Sequence, residues 1–295
     1  MLNTNRRPLL AAAALLALAA PLSAADRPPA DAACTIEIPS LTAKELDHRV
    51  QVLAGLVGVS PALEKAAAPS GGVLQNDDQA FVAHDAAAAR TAVFNKSANA
   101  RSTLTDTIVS EKEARALFER TVEALAREGL LEDRKFDVKN AVASHTYGGI
   151  AMNPQRLVPR VLAYNFEAYR AVNGIPFLHN RISVTIRADG LLSEIEIGGP
   201  ELRATPVAKR RRVTPDAVRS RFLAAHPAAR VQAESLSYAI SEHELAPGRV
   251  VEPRLVIAWN EELGDPKNPL RKVITRQREL AYALDDPAAA PTELQ

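Results

Sequence analysis

Several things are scarce in this 295-residue chain, and each scarcity closes off a class of protein. It has one cysteine, Cys34, so no disulfide can form within the chain, and stability must come from packing. Aromatic residues make up only 4%, which leaves the core to Leu, Val, Ile and Ala. The formal charge is +1, whereas a nucleic-acid-binding surface calls for a marked basic excess. Past the first 25 residues no apolar run is long enough to span a bilayer as a helix. Motifs are missing too. There is no His-Glu-x-x-His, no Gly-x-Ser-x-Gly elbow, no Gly-x-x-x-x-Gly-Lys loop and no Gly-x-Gly-x-x-Gly. The expectation is therefore a non-enzymatic protein with no catalytic residue, no cofactor and no metal ligand set.

What is present begins with an export signal. Arg6 and Arg7 precede an apolar run from Leu9 to Ala20, too short to cross a membrane, and Ser23-Ala24-Ala25 offers small residues for cleavage. Residues 1–25 read as a signal peptide and the mature chain as exported, periplasmic or extracellular. Asn5-Arg6-Arg7 departs from a twin-arginine signal at Pro8. Asp31 and the Pro-rich stretch before Cys34 argue against lipid attachment there. Residues 26–39 read as a flexible leader, with Cys34 a free thiol outside the domains.

Helix starts are well marked. Thr42-Ala43-Lys44-Glu45 and Ser110-Glu111-Lys112-Glu113 are capping boxes, and Thr214-Pro215 is an N-cap followed by proline at the first helical position. Apolar residues follow each at helical spacing: Leu46, Val50 and Leu53; Leu117, Phe118 and Leu125; Val218 and Phe222. The pattern predicts helices over 43–57, from 111 to Gly129, and from 215 to His226.

Between the later helices lie β-rich runs. Asn173-Gly174 and Asp189-Gly190 are hairpin turn signals, because both dipeptides accept φ > 0. Strands are predicted over 136–145, 157–169, 175–187 and 191–197. In the third, Ile182, Val184 and Ile186 alternate with Ser183, Thr185 and Arg187, as suits a sheet with one wet face. Further strands are predicted over 231–241, 250–263 and 273–284, and a weaker hairpin over 79–83 and 91–95. The expected fold class is α+β: two PepSY/cystatin-like units, each a helix on an antiparallel sheet, behind an N-terminal helical/β segment. The boundaries are 40–105 for that segment, 106–205 and 206–285 for the two units, and 286–295 for a disordered tail. The basic run Lys209 to Arg212 reads as a solvated linker.

Tyr169-Arg170-Ala171-Val172-Asn173-Gly174-Ile175-Pro176-Phe177, followed by Ile182 to Ile186 and Asp189-Gly190, resembles the propeptide module of secreted thermolysin-like and fungalysin-like metallopeptidases. Thr214-Pro215, Leu236-Ser237-Tyr238 and Leu255 to Trp259 are similar to a PepSY module. The two modules occur in this order in that family, and the resemblance covers about residues 73–285. It implies a protein partner, a secreted peptidase on a separate chain, which this protein inhibits or helps to fold. An envelope assembly protein and a hydrolase with an unrecognised site stay open as alternatives.

Few residues suggest a site. The histidines at 48, 84, 145, 179, 226 and 243 form no compact ligand motif, and Asp77-Asp78 and Glu261-Glu262 read as solvated pairs. Gly148-Gly149 reads as a turn. The candidates for partner contact are Tyr169, Asn173, Gly174 and Phe177 around the hairpin tip, and Trp259, for which core packing is the competing role.

Overall fold

The computed structural model describes residues 33–61, 72–97, 108–131, 135–153, 156–205, 213–241, 244–263, 274–284 and 289–294. The expected signal peptide, the basic run 209–212 and His243 lie outside these described residues.

The three helices form where their caps place them. α1 spans Ala43–Val57, α2 Glu111–Arg127 and α3 Pro215–Ala225. Thr42 and Ser110 each accept from the amide three residues on, and Glu45 and Glu113 reach back to the cap. Those contacts hold both carboxyls below the usual carboxylate range.

The expected pair of helix-on-sheet units is not what forms. Among the described residues the fold is mostly β, in three antiparallel sheets. The largest has seven strands, built from β2 (Gly72–Asn76), β3 (Ala80–Asp85), β4 (Arg90–Asn95), β5 (Val142–Asn153), β6 (Arg156–Val172), β7 (Ile175–Arg187) and β8 (Leu192–Gly198), in the order β2-β3-β4-β8-β7-β6-β5. The described residues of the expected 40–105 segment thus form no separate unit. β4 pairs with β8, Thr91 opposite Ile197, and extends the sheet formed by the later strands. Both α1 and α2 lie on one face of that sheet. Leu46, Val50 and Leu53 from α1 join Phe118, Val122 and Leu125 from α2 over Phe166, Ile182, Val184, Ile186 and Ile195. Apolar alternation marks each strand but not its neighbours in the sheet, so a sheet assembled from distant segments reads as separate units.

The leader and the tail are corrected in the same way. Cys34–Glu37 is a strand, β1, paired with β9 (Glu201–Ala204) on one side. On its other side it pairs with β11 (Val250–Val251). Thr292–Leu294, at the end of the expected tail, is β14, paired with β13 (Ile274–Ala283). The third sheet runs β10 (Arg230–Ser237), β12 (Arg254–Leu263), β13, β14. The predicted strand over 250–263 is broken at Pro253, which has no N–H for a ladder, so β11 and β12 join different sheets. Gly148-Gly149 is not a turn but part of β5, opposite Arg160 and Pro159.

A second core joins the sheets. Cys34, Ile36, Ile175, Phe177, Leu202, Tyr238, Ile240 and Val251 pack together. The Tyr238 amide donates to Pro176 O and the Leu178 amide to Tyr238 O, which ties the start of β7 to the end of β10. A third core sets α3 on the four-stranded sheet, with Phe222 edge-on to Trp259. Among the described residues no helix is long and apolar enough to cross a membrane.

Candidate functional site

The hairpin proposed for partner contact is mostly interior. Phe177 is fully buried in the inter-sheet core, and Trp259 is buried against Phe222 and Tyr282. Tyr169 is buried too, and its hydroxyl donates to Glu167 two positions back. Burial first, then the Glu167 charge, holds that hydroxyl protonated far above its ordinary range. Only Asn173 and Gly174, at φ 54° and 76°, stand exposed at the tip between β6 and β7. The five residues therefore form no common surface.

Sequence reasoning did not single out the face of the seven-stranded sheet opposite the helices. Strand alternation brings Asn165, Glu167 and Tyr169 of β6 to that face, with Arg181, Ser183 and Thr185 of β7 and Glu194 and Glu196 of β8. Arg181 sits between two carboxylates, Nη1 at 3.4 Å from Glu167 Oε1 and Nε at 3.0 Å from Glu196 Oε1. Arg90 reaches the same Glu196 oxygen at 3.7 Å. Burial disfavours the Arg181 charge, but Glu167 and Glu196 outweigh it and hold the guanidinium protonated. Glu194 is the odd member. Burial and then the neighbouring Glu196 push its carboxyl up, partly offset by Thr185, whose hydroxyl lies 3.4 Å from Glu194 Oε2 and 3.0 Å from Asn165 Oδ1. Except for Glu194, the charges on this face are spent on one another.

The sheet's edges differ sharply. β2 is five residues long and bulged, which protects an edge by brevity. β5 is twelve residues long, and among the described residues no strand pairs with its outer side. Its sequence, Val142 to Asn153, holds no Lys, Arg, Asp, Glu or Pro, the residues that ordinarily discourage pairing. Along such an edge about half of the backbone N–H and C=O groups point outward. A bulge at Thr146 and Tyr147 interrupts the register with β6, and Tyr147 is 62% exposed there. Behind it His145 Nε2 pairs with Glu111 Oε2 at 3.1 Å and the His145 ring meets Tyr164 edge-on, so α2 steadies the edge from within. The absence of charge from 142 to 153 was legible in the sequence; the open side was not.

The remaining candidates are structural. Asp77 accepts from the Gln79 and Ala80 amides and from Gln75 Nε2, which holds its carboxyl low and closes the β2–β3 turn. His84 meets Thr91, His179 meets Ile240 O, and the His226 ring packs at a tilt against Phe222 and Trp259. Among the described residues no group of His, Cys, Asp and Glu is placed to hold a metal ion.

No protein-family model and no curated protein matches the chain. Among solved structures, an uncharacterized protein from Eubacterium rectale is similar at a TM-score of 0.48 and 11% identity, over 89% of this chain and 85% of that one. At that level the likeness carries no argument about fold or function.

Proposed function

We propose that this is an exported, non-catalytic protein that binds an extended segment of another protein as an added strand along β5. The observation that supports this reading is the twelve-residue edge itself, free of charge and proline. Main-chain hydrogen bonds supply affinity in such binding, and alternate side chains supply choice of partner. The sequence resemblance to peptidase propeptides makes a secreted peptidase the partner to test first, with inhibition or assisted folding as the outcome of binding.

The test titrates the full chain against peptidases purified from the host's secreted fraction and reads their activity. A stoichiometric gain or loss of activity, lost in Tyr147→Lys on β5 and kept in Val73→Lys on the opposite edge, is the expected result. Capture of envelope proteins with no change in any peptidase activity replaces the peptidase reading with an assembly role. A dimer that dissolves on Tyr147→Lys makes the occupant a second copy and overturns the partner reading.

A further inference from the structure

A cavity of about 170 Å³ opens where the loop before α1, the end of α2 and the ends of β6 and β8 meet, away from β5. Leu41, Leu130 and Phe136 give it an apolar wall, and Arg49, Lys135 and Arg170 a cationic one, with Glu201 beside Arg170 as the one carboxylate of the lining. The two arginines differ in what they already hold. Arg170 Nη1 lies 2.7 Å from Glu201 Oε1, so that pair is internally neutralised. Arg49 has no such contact among the described residues. The carboxylate acting on it is Glu45, one turn back, which is committed to the Thr42 cap.

The Arg49 guanidinium is held at the cavity by the shape of the chain. Its Nη1 would sit 3.2 Å from a Cβ placed on Gly198, and Gly198 can carry no side chain, because that Cβ would also fall 2.4 Å from Ala89 O. Burial pulls the Arg49 pKa down, the mark of a cation short of solvent and short of an anion. A partly desolvated charge at a cavity wall favours a counter-charge there. Arg170 Nε, also buried, has no partner among the described residues.

We propose that this cavity binds a small organic monocarboxylate, its carboxylate on Arg49 and its apolar body against Leu41, Leu130 and Phe136. Both ends are needed. An inorganic anion would leave the apolar wall unused, and a neutral apolar molecule would leave Arg49 unpaired. The volume sets the scale, since a cavity of about 150 Å³ accommodates benzene. A benzoate-sized molecule fits that measure. The site does not depend on strand addition at β5, and either can fail alone.

The test is calorimetric titration of the full chain with benzoate, hexanoate, benzamide and sulfate. Saturable binding of benzoate or hexanoate is expected, with benzamide and sulfate weaker by about tenfold or more, the worth of one charge-assisted hydrogen bond. Arg49→Gln should lose the same factor and Arg49→Lys should recover part of it, with near-ultraviolet circular dichroism confirming that both variants fold. Tyr147→Lys should bind as the unmodified chain does. Saturable binding by none of the four probes overturns the proposal. So does equal binding of benzoate and benzamide, or full affinity in a folded Arg49→Gln protein. Binding of sulfate alone would reduce the site to an adventitious anion contact and overturn it as well.

Discussion

Cys34 and Tyr238 lie 204 positions apart in the chain, yet the cysteine Sγ donates to the tyrosine Oη at 3.5 Å inside the core that joins the sheets. Burial pushes the Cys34 thiol up, outweighing the tyrosine contact that favours the thiolate. The thiol should therefore stay unreactive toward a disulfide reagent at a pH above about 8.5, where an exposed cysteine ionises. Because its folded pKa is raised, the stability linked to it is full below the unfolded value and declines as pH rises toward the folded one. Labelling kinetics in native buffer and in urea check both points. Rapid labelling of the native protein would return Cys34 to a flexible leader.

Ile36 makes the same point energetically. It is fully buried between residues from β7, β9 and β11. Ile36→Ala should cost about 2–5 kcal/mol in urea unfolding, the range for a large-to-small change in a packed core. A residue in a loose leader would cost close to nothing.

What could be read from the sequence was local. The boxes at Thr42 and Ser110 and the turn at Asn173-Gly174 each complete their hydrogen bonds or their φ requirement within a few residues, so composition suffices. β1 could not be read that way. Cys34 to Glu37 carries no turn signal and no length, and becomes a strand only because Glu201 to Ala204 and Val250 to Val251 close around it. The pairing of β4 with β8 is equally non-local, and it is what merges the expected segment and unit into one sheet. Trp259 could be assigned to a core from its apolar neighbours. Tyr169 could not be told from a surface residue, because its burial depends on what packs across the sheet. Nor could Arg49, whose place in the cavity is set by Gly198 on a strand 149 positions away.

Glu194 should behave as a carboxyl that the fold would rather keep protonated. Burial and the adjacent Glu196 raise its pKa, so its contribution to stability is full below the ordinary value of about 4.3 and is lost as pH rises through the folded value. Glu194→Gln keeps an acceptor for Thr185 and removes the charge. The variant should gain about 1 kcal/mol at neutral pH and nothing in acid. Urea midpoints across the pH range measure this. A variant less stable than the parent at neutral pH would show that the Arg181 attraction outweighs burial.

Two glycines separate backbone conformation from space. At Gly174, φ is +76° and nothing lies near a built Cβ, so Gly174→Ala should cost only the left-handed strain of about 1–2 kcal/mol. At Gly199, φ is +143°, and a Cβ would fall 2.1 Å from His179 O and 2.5 Å from Asn180 Cα. Those are backbone atoms of β7, next to the Arg181–Gly198 pair where the ladder with β8 begins, and they cannot yield as a flexible side chain can. Gly199→Ala should cost about 4 kcal/mol or more, or prevent folding. Thermal or urea unfolding of the two variants side by side decides it. Equal costs would mean that conformation alone governs both positions and that β7 moves away from residue 199 with little penalty.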